Sequence, residues 1–591
     1  MTVPFLLFDD ARDGGAACRL YQVPVGEVVA HGHDELRPAL AALRDAVASG
    51  KHVAGWIGYD AGYALEDRLR PLARKLGNTP LLWFGLFERY RILDPTERTA
   101  FLGDPAAAHL GQPHPRIEQS AYLDAATQVK EHLFAGDFYQ ANLTFGCDVA
   151  LSGPPLAAYA QMRARSNAGW GGVVRHPGGW LLSLSPEQFF TLRGGVLEAK
   201  PMKGTAPRRV DPAADRAEAE ALAADPKQRA ENLMIVDLLR NDLARVAEPG
   251  SVAVPDLFVV ESFPTLHQLV SRVTARLAPE MDAVGVLETL FPCGSITGAP
   301  KIAAMAALST LEPEARGAYT GSMGWIDPGG NAAFNVLIRT LEIADDLVKN
   351  PENAPLIRLG LGSGLVVDSV LEDEWAECLL KGKFVGSDSS EFDLIETMRF
   401  DPDVGIADLD RHLDRLDASA IRFDFPFNRH SARNELQAAT FRRLEPAVLR
   451  LLLSPRGTMA IELKPLPERP HQPVDVAVRP LPVTADDFRL AHKTTARAFM
   501  DQARRDGGHY ETIFVTPEGF VTEGSYSSIF VERDGKYLTP PLSRGLLPGL
   551  LRARMIEEGT AVEADLTLDD LADGFTIGNM IRGLLQAKLA D

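Results

Sequence analysis

Residues 383–393 read KFVGSDSSEFD, a run of small polar residues that follows an amphipathic stretch and precedes a new apolar one. This seam constrains the fold more than any other feature. A chain of 591 residues lies beyond the size at which one hydrophobic core keeps growing, so it must split, and a polar break is where it would. The boundary is expected near residue 388, giving one domain over 1–385, a linker over 386–391 and a second domain over 392–591. Neither side shows an internal repeat.

Before the seam, strand-like runs (GGWLLSLS, NAAFNVLIRTLEI, APLIRLGLGSGLVV) alternate irregularly with helical ones. The clearest helices are DPKQRAENLMIVDLLRNDLARV and LEDEWAECLLKGKF. That irregular mixture predicts an α+β multidomain protein rather than regular βαβ units. AAHLGQPHPR reads as a linker within this part, and KPLPERPHQPVDVAVRPLP reads as a proline-rich connector dividing the second part into two lobes.

A formal charge of −19 argues against nucleic acid or an anionic membrane as partner. No apolar run reaches the length of a membrane span, and MTVPFLLFDDAR lacks the basic start of a secretion signal. Cys18, Cys147, Cys293 and Cys378 are far apart with no CxxC spacing. Disulfides and cysteine metal sites are therefore not expected, and a reducing, cytoplasmic location is.

Glu374 and Glu377 lie three residues apart on one helix face, and Glu231 opens the apolar stretch of another helix. In isolation each reads as a solvated carboxylate. Their neighbours Trp375, Cys378, Met234 and Ile235 place them at partly buried positions, where ionised carboxylates need a cation, and oxygen ligands of this kind suit Mg²⁺. FPCGSITGAPK and GLGSGLVVDS are glycine-bearing loops whose N–H groups would hold an anion such as a carboxylate; neither is a phosphate loop. Arg339, in a strand-like apolar run, needs an anionic partner if it points inward. Lys203, in KPMKGTAPRR, reads by itself as an exposed charge.

SPEQF, KPMKGTAPR, RAENLMIVDLLRNDLARV, FPCGSITGAPK and EDEWAECLLKGKF, preceded by GWIGYDAGYALE and GDFYQANLTF, resemble in content and order the chorismate-utilising enzymes over roughly residues 1–385. The resemblance implies antiparallel sheets with surrounding helices. A lysine in the PxKGT position is similar to the members that aminate chorismate at carbon 4, the aminodeoxychorismate synthase components I; anthranilate-forming members carry alanine there. The resemblance implies that Lys203 attacks carbon 2, expelling the carbon 4 hydroxyl, and that ammonia then adds at carbon 4 and releases the lysine. It makes Glu187 the general acid/base and Glu231, Glu374 and Glu377 the magnesium ligands. Thr297, Gly298, Arg339 and the turn Gly362, Ser363, Gly364 would hold substrate carboxylates. One departure is Gln268 directly before LVS, where anthranilate-forming relatives carry His; His267 stands one place earlier. This favours stopping at the aminated product.

In the second part, AHKTTARAF carries Lys493, and GFVTEGSYSSIFV reads as a strand, an acidic turn with Glu523, and a small-residue strand. Arg415 sits near Leu413, Leu416 and Ser419 on an amphipathic helix, where it would face a phosphate. Gly549 opens a helix whose free N–H groups suit the same phosphate. FDLIETMRF, HLDRL, HKTT, VTEGS and GNMIRGLLQAKL resemble the fold-type IV pyridoxal-phosphate enzymes, and among them the 4-amino-4-deoxychorismate lyases, over roughly 391–591. By that resemblance Lys493 bonds to pyridoxal 5'-phosphate and later moves a proton at carbon 4 of the substrate. Arg415 with Gly549, Leu550 and Leu551 holds the phosphate, and Glu523 meets the ring nitrogen. Met500, Ser528 and Met580 depart from the common Tyr, Asn and Ser, which bears on lyase turnover more than on cofactor binding.

Together the two parts would convert chorismate to 4-aminobenzoate, a folate precursor. No GxCxG nucleophile segment is present, so ammonia is expected from solution or from a separate glutamine amidotransferase subunit; a homodimer through the second domain fits the fold type. Two alternatives stand beside this reading. One is an anthranilate-type first domain fused to an aminotransferase, and the other is a non-catalytic regulator binding an aromatic amino acid. Because only the first reading uses Lys203 covalently, Lys203→Ala is expected to abolish or sharply reduce amination of chorismate at carbon 4, measured as product formed from ammonia. Unchanged turnover in that variant would rule out the covalent role.

Overall fold

The computed structural model describes residues 3–74, 79–262, 266–345, 356–386 and 392–590. Apart from Gly386, the linker expected over 386–391 lies outside the described residues. Two compact units are present. One comprises residues 1–103, 113–149 and 159–385, and the other 104–112, 150–158 and 386–591.

The first unit is built on two largely antiparallel sheets. In one, the spatial order is Gly298–Ala299, Gln140–Ser152, Leu356–Leu365, Thr340–Ala344, Gly179–Ser185, Trp170–His176, Phe5–Asp9, Cys18–Gln22, Arg91–Leu93. In the other it is Met202–Pro207, Leu266–Arg276, Val196–Ala199, Gln188–Arg193, Ala332–Asn335, Ser322–Ile326, His52–Ile57, Leu82–Phe87, Gly26–Ala30. Leu6, Tyr21, Val174 and Leu181 of the first meet Trp56, Trp83, Phe87 and Met323 of the second in a shared apolar layer. Burying each such side chain favours folding by about 1.5–3 kcal/mol.

Helices cover the outer faces. Leu36–Ala48, Pro226–Ala244 and Ala283–Leu290 bury Leu40, Leu43, Ile235, Leu239 and Leu287 against the second sheet. On the other side Trp375, from the helix Leu371–Gly382, stacks on Phe145 with ring centroids 5.0 Å apart and meets Tyr122 of Gln119–Ala135. The two helices expected from periodicity both form. Asp225 caps the first through the N–H groups of Lys227 and Gln228, with Pro226 in its first turn. Glu372, Asp373 and Glu374 open the second, where their charge suits the helix dipole.

The second unit has two lobes. A four-stranded sheet ordered Gly405–Ile406, Leu394–Asp401, Ala447–Leu453, Met459–Pro465 packs against helices Leu409–Phe423 and Arg429–Thr440. An eight-stranded sheet runs Val521–Gly524, Glu511–Val515, Val474–Pro480, Gly583–Leu589, Phe575–Asn579, Ser528–Arg533, Lys536–Thr539, Ala561–Glu563, with Val474–Pro480 parallel to both neighbours. The proline-rich connector is therefore shorter than expected. Its VDVAVRP portion is a strand because Val474 and Val476 point inward while Asp475 points out.

Two other expectations are corrected. AAHLGQPHPR is not a plain linker: His109–Leu110 and His114–Pro115 each pair with part of Gln140–Ser152. NAAFNVLIRTLEI is two strands, Ala332–Asn335 and Thr340–Ala344, in different sheets. The break falls at Arg339, whose φ of 49° is rare for a side-chain-bearing residue. An unbroken apolar run conceals such a crossing because both halves are buried.

Among the described residues no helix is long and apolar enough to cross a membrane, and all four cysteines are free and buried. The first unit also buries an ion pair. Arg316 donates to Glu312 at 2.7 and 3.0 Å, to the carbonyls of Asn142 and Ile296 at 2.7 and 3.0 Å, and lies 4.0 Å from the Tyr59 ring. Glu312 in turn accepts from the N–H and hydroxyl of Thr144. Arg316→Met leaves that carboxylate buried and unpaired, and is expected to destabilise the unit by about 3–5 kcal/mol, read as an earlier urea transition; the double variant with Glu312→Leu should lose less.

Candidate functional site

In the first unit, Glu187 follows strand Gly179–Ser185, and its Oε1 accepts the Ser295 hydroxyl at 2.6 Å. Burial pushes its pKa up, outweighing that hydrogen bond and the charges of Lys203 and Lys381. Lys203, half-buried on the edge strand Met202–Pro207, reaches the strand Leu356–Leu365, where a side chain on Gly364 would stand 3.8 Å from its Nζ. Gly362 to Gly364 lie within that strand and not in a turn. Gly362 is required there because a Cβ would sit 2.7 Å from the Leu143 carbonyl oxygen on the neighbouring strand.

Glu374 accepts the Ser369 hydroxyl at 2.6 Å and the Ser363 hydroxyl. Burial raises its pKa against the Ser369 hydrogen bond, and neighbouring Glu377 adds to the rise. Glu377 is more exposed and pairs with Lys381 at 2.8 Å, and Lys381 also donates to the Gly362 carbonyl at 3.0 Å. Glu231 makes no hydrogen bond or ion pair among the described residues; its neighbour Asn232 fixes the helix to strand Leu266–Arg276 through Ser271 and the Leu269 carbonyl. The three carboxylates are not gathered: among the described residues no group of three or more His, Cys, Asp and Glu stands close enough to hold a metal ion. The donor chemistry still suits a hard cation, since Glu374 has only hydroxyl donors and Glu231 has none.

Thr297 is fully buried, and its hydroxyl donates to the carbonyls of Cys293 and Gly294 at 3.2 and 3.1 Å. Gly298 brings backbone against backbone, for a Cβ would lie 2.3 Å from the Gln140 carbonyl oxygen. Arg339 has no anionic partner among the described residues. Its side chain is exposed, while the protein packed around it lowers its pKa by desolvation. Gln268 donates to the Gly204 carbonyl at 3.2 Å, next to Lys203, while His267 faces Ser262 and Asp215. The structure thus brings Glu187, Lys203, Gly364 and Glu374 together, leaves Glu231 apart, and adds Ser295 and Lys381, which sequence reasoning missed. Ser295 lies inside the quoted FPCGSITGAPK, so its hydroxyl was visible there.

The second unit contains a cavity of about 940 Å³ lined by Lys493, Arg415, Glu523, Gly549, Leu550, Leu551, Ser528, Met500 and Met580, among others. Lys493 is pinned by its backbone. Its carbonyl accepts the N–H of Ile395 at 2.9 Å, and Thr495 bonds both the N–H and carbonyl of Asp393. Burial pulls its amine down to about 8, with Arg415 and Arg497 adding to the fall and Glu396 and Glu523 opposing it.

Arg415 donates to Glu396 at 2.8 and 2.9 Å and to the Pro548 carbonyl at 3.1 Å. Glu396 also meets His412 Nδ1 at 2.5 Å. Burial alone would raise this carboxyl; Arg415 and His412 overcome it and hold it at about 2. Gly549 caps helix Leu550–Glu557, no side chain caps that end, and a Cβ on Gly549 would stand 2.6 Å from the Ser528 hydroxyl. The first-turn N–H groups of Leu550 and Leu551 are therefore left for an anion beside Arg415. Glu523 lies in strand Val521–Gly524 and not in a turn; it accepts from Arg497 at 2.7 Å, and burial raises its pKa in spite of that charge. An amine on the wall, an open helix end and a buried carboxylate fit pyridoxal phosphate. Sequence reasoning missed Glu396, His412 and Arg497, although alternation in FDLIETMRF places Glu396 on the buried face.

Because Lys493 titrates near 8 and only neutral amine reacts, its labelling by trinitrobenzenesulfonate should climb about tenfold per pH unit up to pH 8 and then level. An ordinary lysine continues to gain until pH ~10.4. Peptide mass spectrometry on the full chain measures this, and a rise past pH 9.5 would contradict it.

Residues 4–386 match the chorismate binding enzyme family and residues 393–590 the class IV amino-transferase family. Aminodeoxychorismate synthase component 1 of Klebsiella aerogenes is 47% identical over 225 residues, covering 38% of this chain and 50% of that protein. The Salmonella typhimurium protein of the same name is 43% identical over 256 residues, 43% of this chain and 54% of its own. The chain thus spans about half the length of these curated relatives. Anthranilate synthase component I from Streptococcus pneumoniae TIGR4 shares the fold of the first part, with a TM-score of 0.53 at 23% identity over 62% of this chain and 91% of that one. With residues 4–386, more than half of its length, matched to one family and most of the remainder to another, the chain belongs to the chorismate binding enzymes and carries a class IV amino-transferase domain fused behind them.

Proposed function

We propose that the chain makes 4-aminobenzoate in two steps, aminating chorismate in the first unit and releasing pyruvate from the product in the second. The observation that carries the first step is Lys203 beside a carboxyl whose pKa burial has raised. Lys203 Nζ bonds to carbon 2 of chorismate as the carbon 4 hydroxyl departs, and protonated Glu187 supplies the proton that lets it leave as water. Ammonia bonds to carbon 4 as the Lys203–carbon 2 bond breaks and its electron pair returns to Nζ, and the new ammonium gives up a proton that restores Glu187. Arg339 binds a substrate carboxylate. A magnesium ion held by Glu231, Glu374 and Glu377 would neutralise carboxylate charge there, which requires the three carboxylates to draw together and Glu377 to leave Lys381.

In the second unit, Arg415 and the N–H groups of Leu550 and Leu551 would hold the phosphate of pyridoxal phosphate and Glu523 its ring. That cofactor supplies an electron sink. Lys493, its pKa low enough to accept a proton near neutrality, takes the proton from carbon 4. The enolpyruvyl group then leaves and the ring becomes aromatic. A separate glutamine amidotransferase is the partner that would deliver ammonia.

Chorismate, ammonia and Mg²⁺ incubated with the full chain, with and without pyridoxal phosphate, test both halves by mass spectrometry. With cofactor, 4-aminobenzoate and pyruvate are expected in equal amounts; without it, 4-amino-4-deoxychorismate should accumulate. Anthranilate as the main product would overturn the proposal for the first unit, and persistence of the aminated intermediate with cofactor present would overturn that for the second.

A further inference from the structure

The Glu187 carboxyl is held through one of its two oxygens. Oε1 accepts the Ser295 hydroxyl at 2.6 Å, while Oε2 has no hydrogen-bond partner among the described residues. The Ser295 oxygen in turn stands 3.2 Å from the sulfur of Cys293. Thiol, hydroxyl and carboxyl therefore follow one another in series. A hydroxyl has one proton, so Ser295 donates to one of these two neighbours and not to both. The thiol settles which. Cys293 is 5% exposed, and burial, with nearby Glu187 adding to it, pushes its pKa up to about 12. It keeps its proton and offers S–H to the hydroxyl oxygen. Sulfur accepts weakly and a carboxyl oxygen strongly, so Ser295 donates toward Glu187 whether that group is ionised or protonated. Oε1 is then an acceptor in both states, and the proton of the acid form is left to Oε2.

The pair is fixed from behind. Ser295 lies in the short turn Gly294–Ile296, where the Thr297 hydroxyl donates to the carbonyls of Cys293 and Gly294 and Arg316 donates to that of Ile296 at 3.0 Å. Lys301 closes the loop, donating to the Leu290 carbonyl at 2.7 Å and pairing with Asp242 at 3.3 Å. Cys293 itself belongs to the apolar core with Leu239, Phe291 and Ile296. Glu187 is anchored at its backbone, for its N–H donates to the Ser185 hydroxyl at 3.2 Å and its carbonyl accepts the Val336 N–H at 3.1 Å. The charged groups facing its carboxyl from other elements are Lys203, of strand Met202–Pro207, and Lys381, of helix Leu371–Gly382. Neither forms an ion pair with it among the described residues.

We infer that Cys293 and Ser295 are positioning residues that reserve Oε1 of Glu187 as an acceptor and so place its acidic proton on Oε2, the oxygen that no other side chain occupies. When Oε2 gives that proton to the departing hydroxyl, the negative charge forms on a carboxyl to which Ser295 already donates, and no donor has to reorient. The inference rests on Glu187 as the acid of the first step; the series of thiol, hydroxyl and carboxyl stands on the distances alone.

The full chain is assayed across pH with chorismate, Mg²⁺ and saturating ammonia, and kcat is separated from the KM for chorismate. Ser295→Ala should lower kcat by about tenfold or more with KM within about twofold of wild type. The limb on which activity falls as Glu187 loses its proton should move up by about one pH unit, because the lost hydrogen bond favours the ionised form. Ser295→Thr keeps the hydroxyl and should recover most of kcat. Cys293→Ala should act in the same direction by about threefold, as loss of one weak hydrogen bond would. Difference infrared spectra read the carboxyl directly, with Glu187→Gln identifying its band: the C=O stretch should rise in Ser295→Ala, where Oε1 accepts nothing. An unmoved stretch in that variant, or a kcat within twofold of wild type with the pH limb in place, overturns the inference. So does a loss that Ser295→Thr fails to recover, since Ser295 would then be a packing residue. Wild-type kcat in Glu187→Gln would instead sink the reading of Glu187 as the acid, while the infrared stretch still decides which oxygen Ser295 holds.

Discussion

Taking a charge out of water costs several kcal/mol unless an opposite charge and hydrogen bonds replace the water, and both units are organised around that cost. In the first, Glu312 and Arg316 are almost wholly buried, and their bonds run to Asn142, Thr144 and Ile296. Ile296 precedes Thr297, and the Thr297 carbonyl accepts the Asn142 N–H at 2.8 Å. The pair therefore fixes the loop of FPCGSITGAPK against strand Gln140–Ser152. In the second unit, Glu396 is equally buried and is satisfied by Arg415 and His412, which anchors the helix Leu409–Phe423 to the strand Leu394–Asp401.

The groups proposed to react are those for which this matching is left incomplete. Glu187 and Glu374 are given hydroxyls where Glu396 is given a guanidinium, and their pKa values move up instead of down. Lys493 is surrounded by guanidinium groups as well as carboxylates, and burial decides the direction, pulling the amine down to about 8. The same desolvation therefore yields a structural anion in one place and a proton donor or acceptor in another. The difference lies in which partner the fold supplies.

Much of the fold was legible. The helices Pro226–Ala244 and Leu371–Gly382 follow from periodicity and from caps readable at Asp225 and at the acidic run 372–374. Gly549 at a helix start is likewise a local signal. The failures share a physical origin. VLIR at 336–339 is apolar whether the strand continues or crosses to another sheet, and only long-range pairing breaks it at Arg339. Gly362 and Gly364 read as a turn because glycine permits one, whereas here glycine clears room for a neighbouring strand. Glu523 read as a turn residue for a similar reason, since the sequence does not show that Ser525 and Ser527 are drawn to Glu511.

By itself the sequence showed a polar break at 383–393, a lysine in a distinctive local motif on each side of it, and an order of motifs that resembles two families joined end to end. These are properties of adjacent residues, and adjacency is what a sequence records. Only the tertiary structure decided which groups meet: that Ser295 reaches Glu187, that Arg497 takes Glu523, that Lys381 pairs with Glu377, and that Arg504 and Arg582 share one tyrosine ring. Electrostatic character depends on partners tens or hundreds of residues away, and no local pattern encodes them.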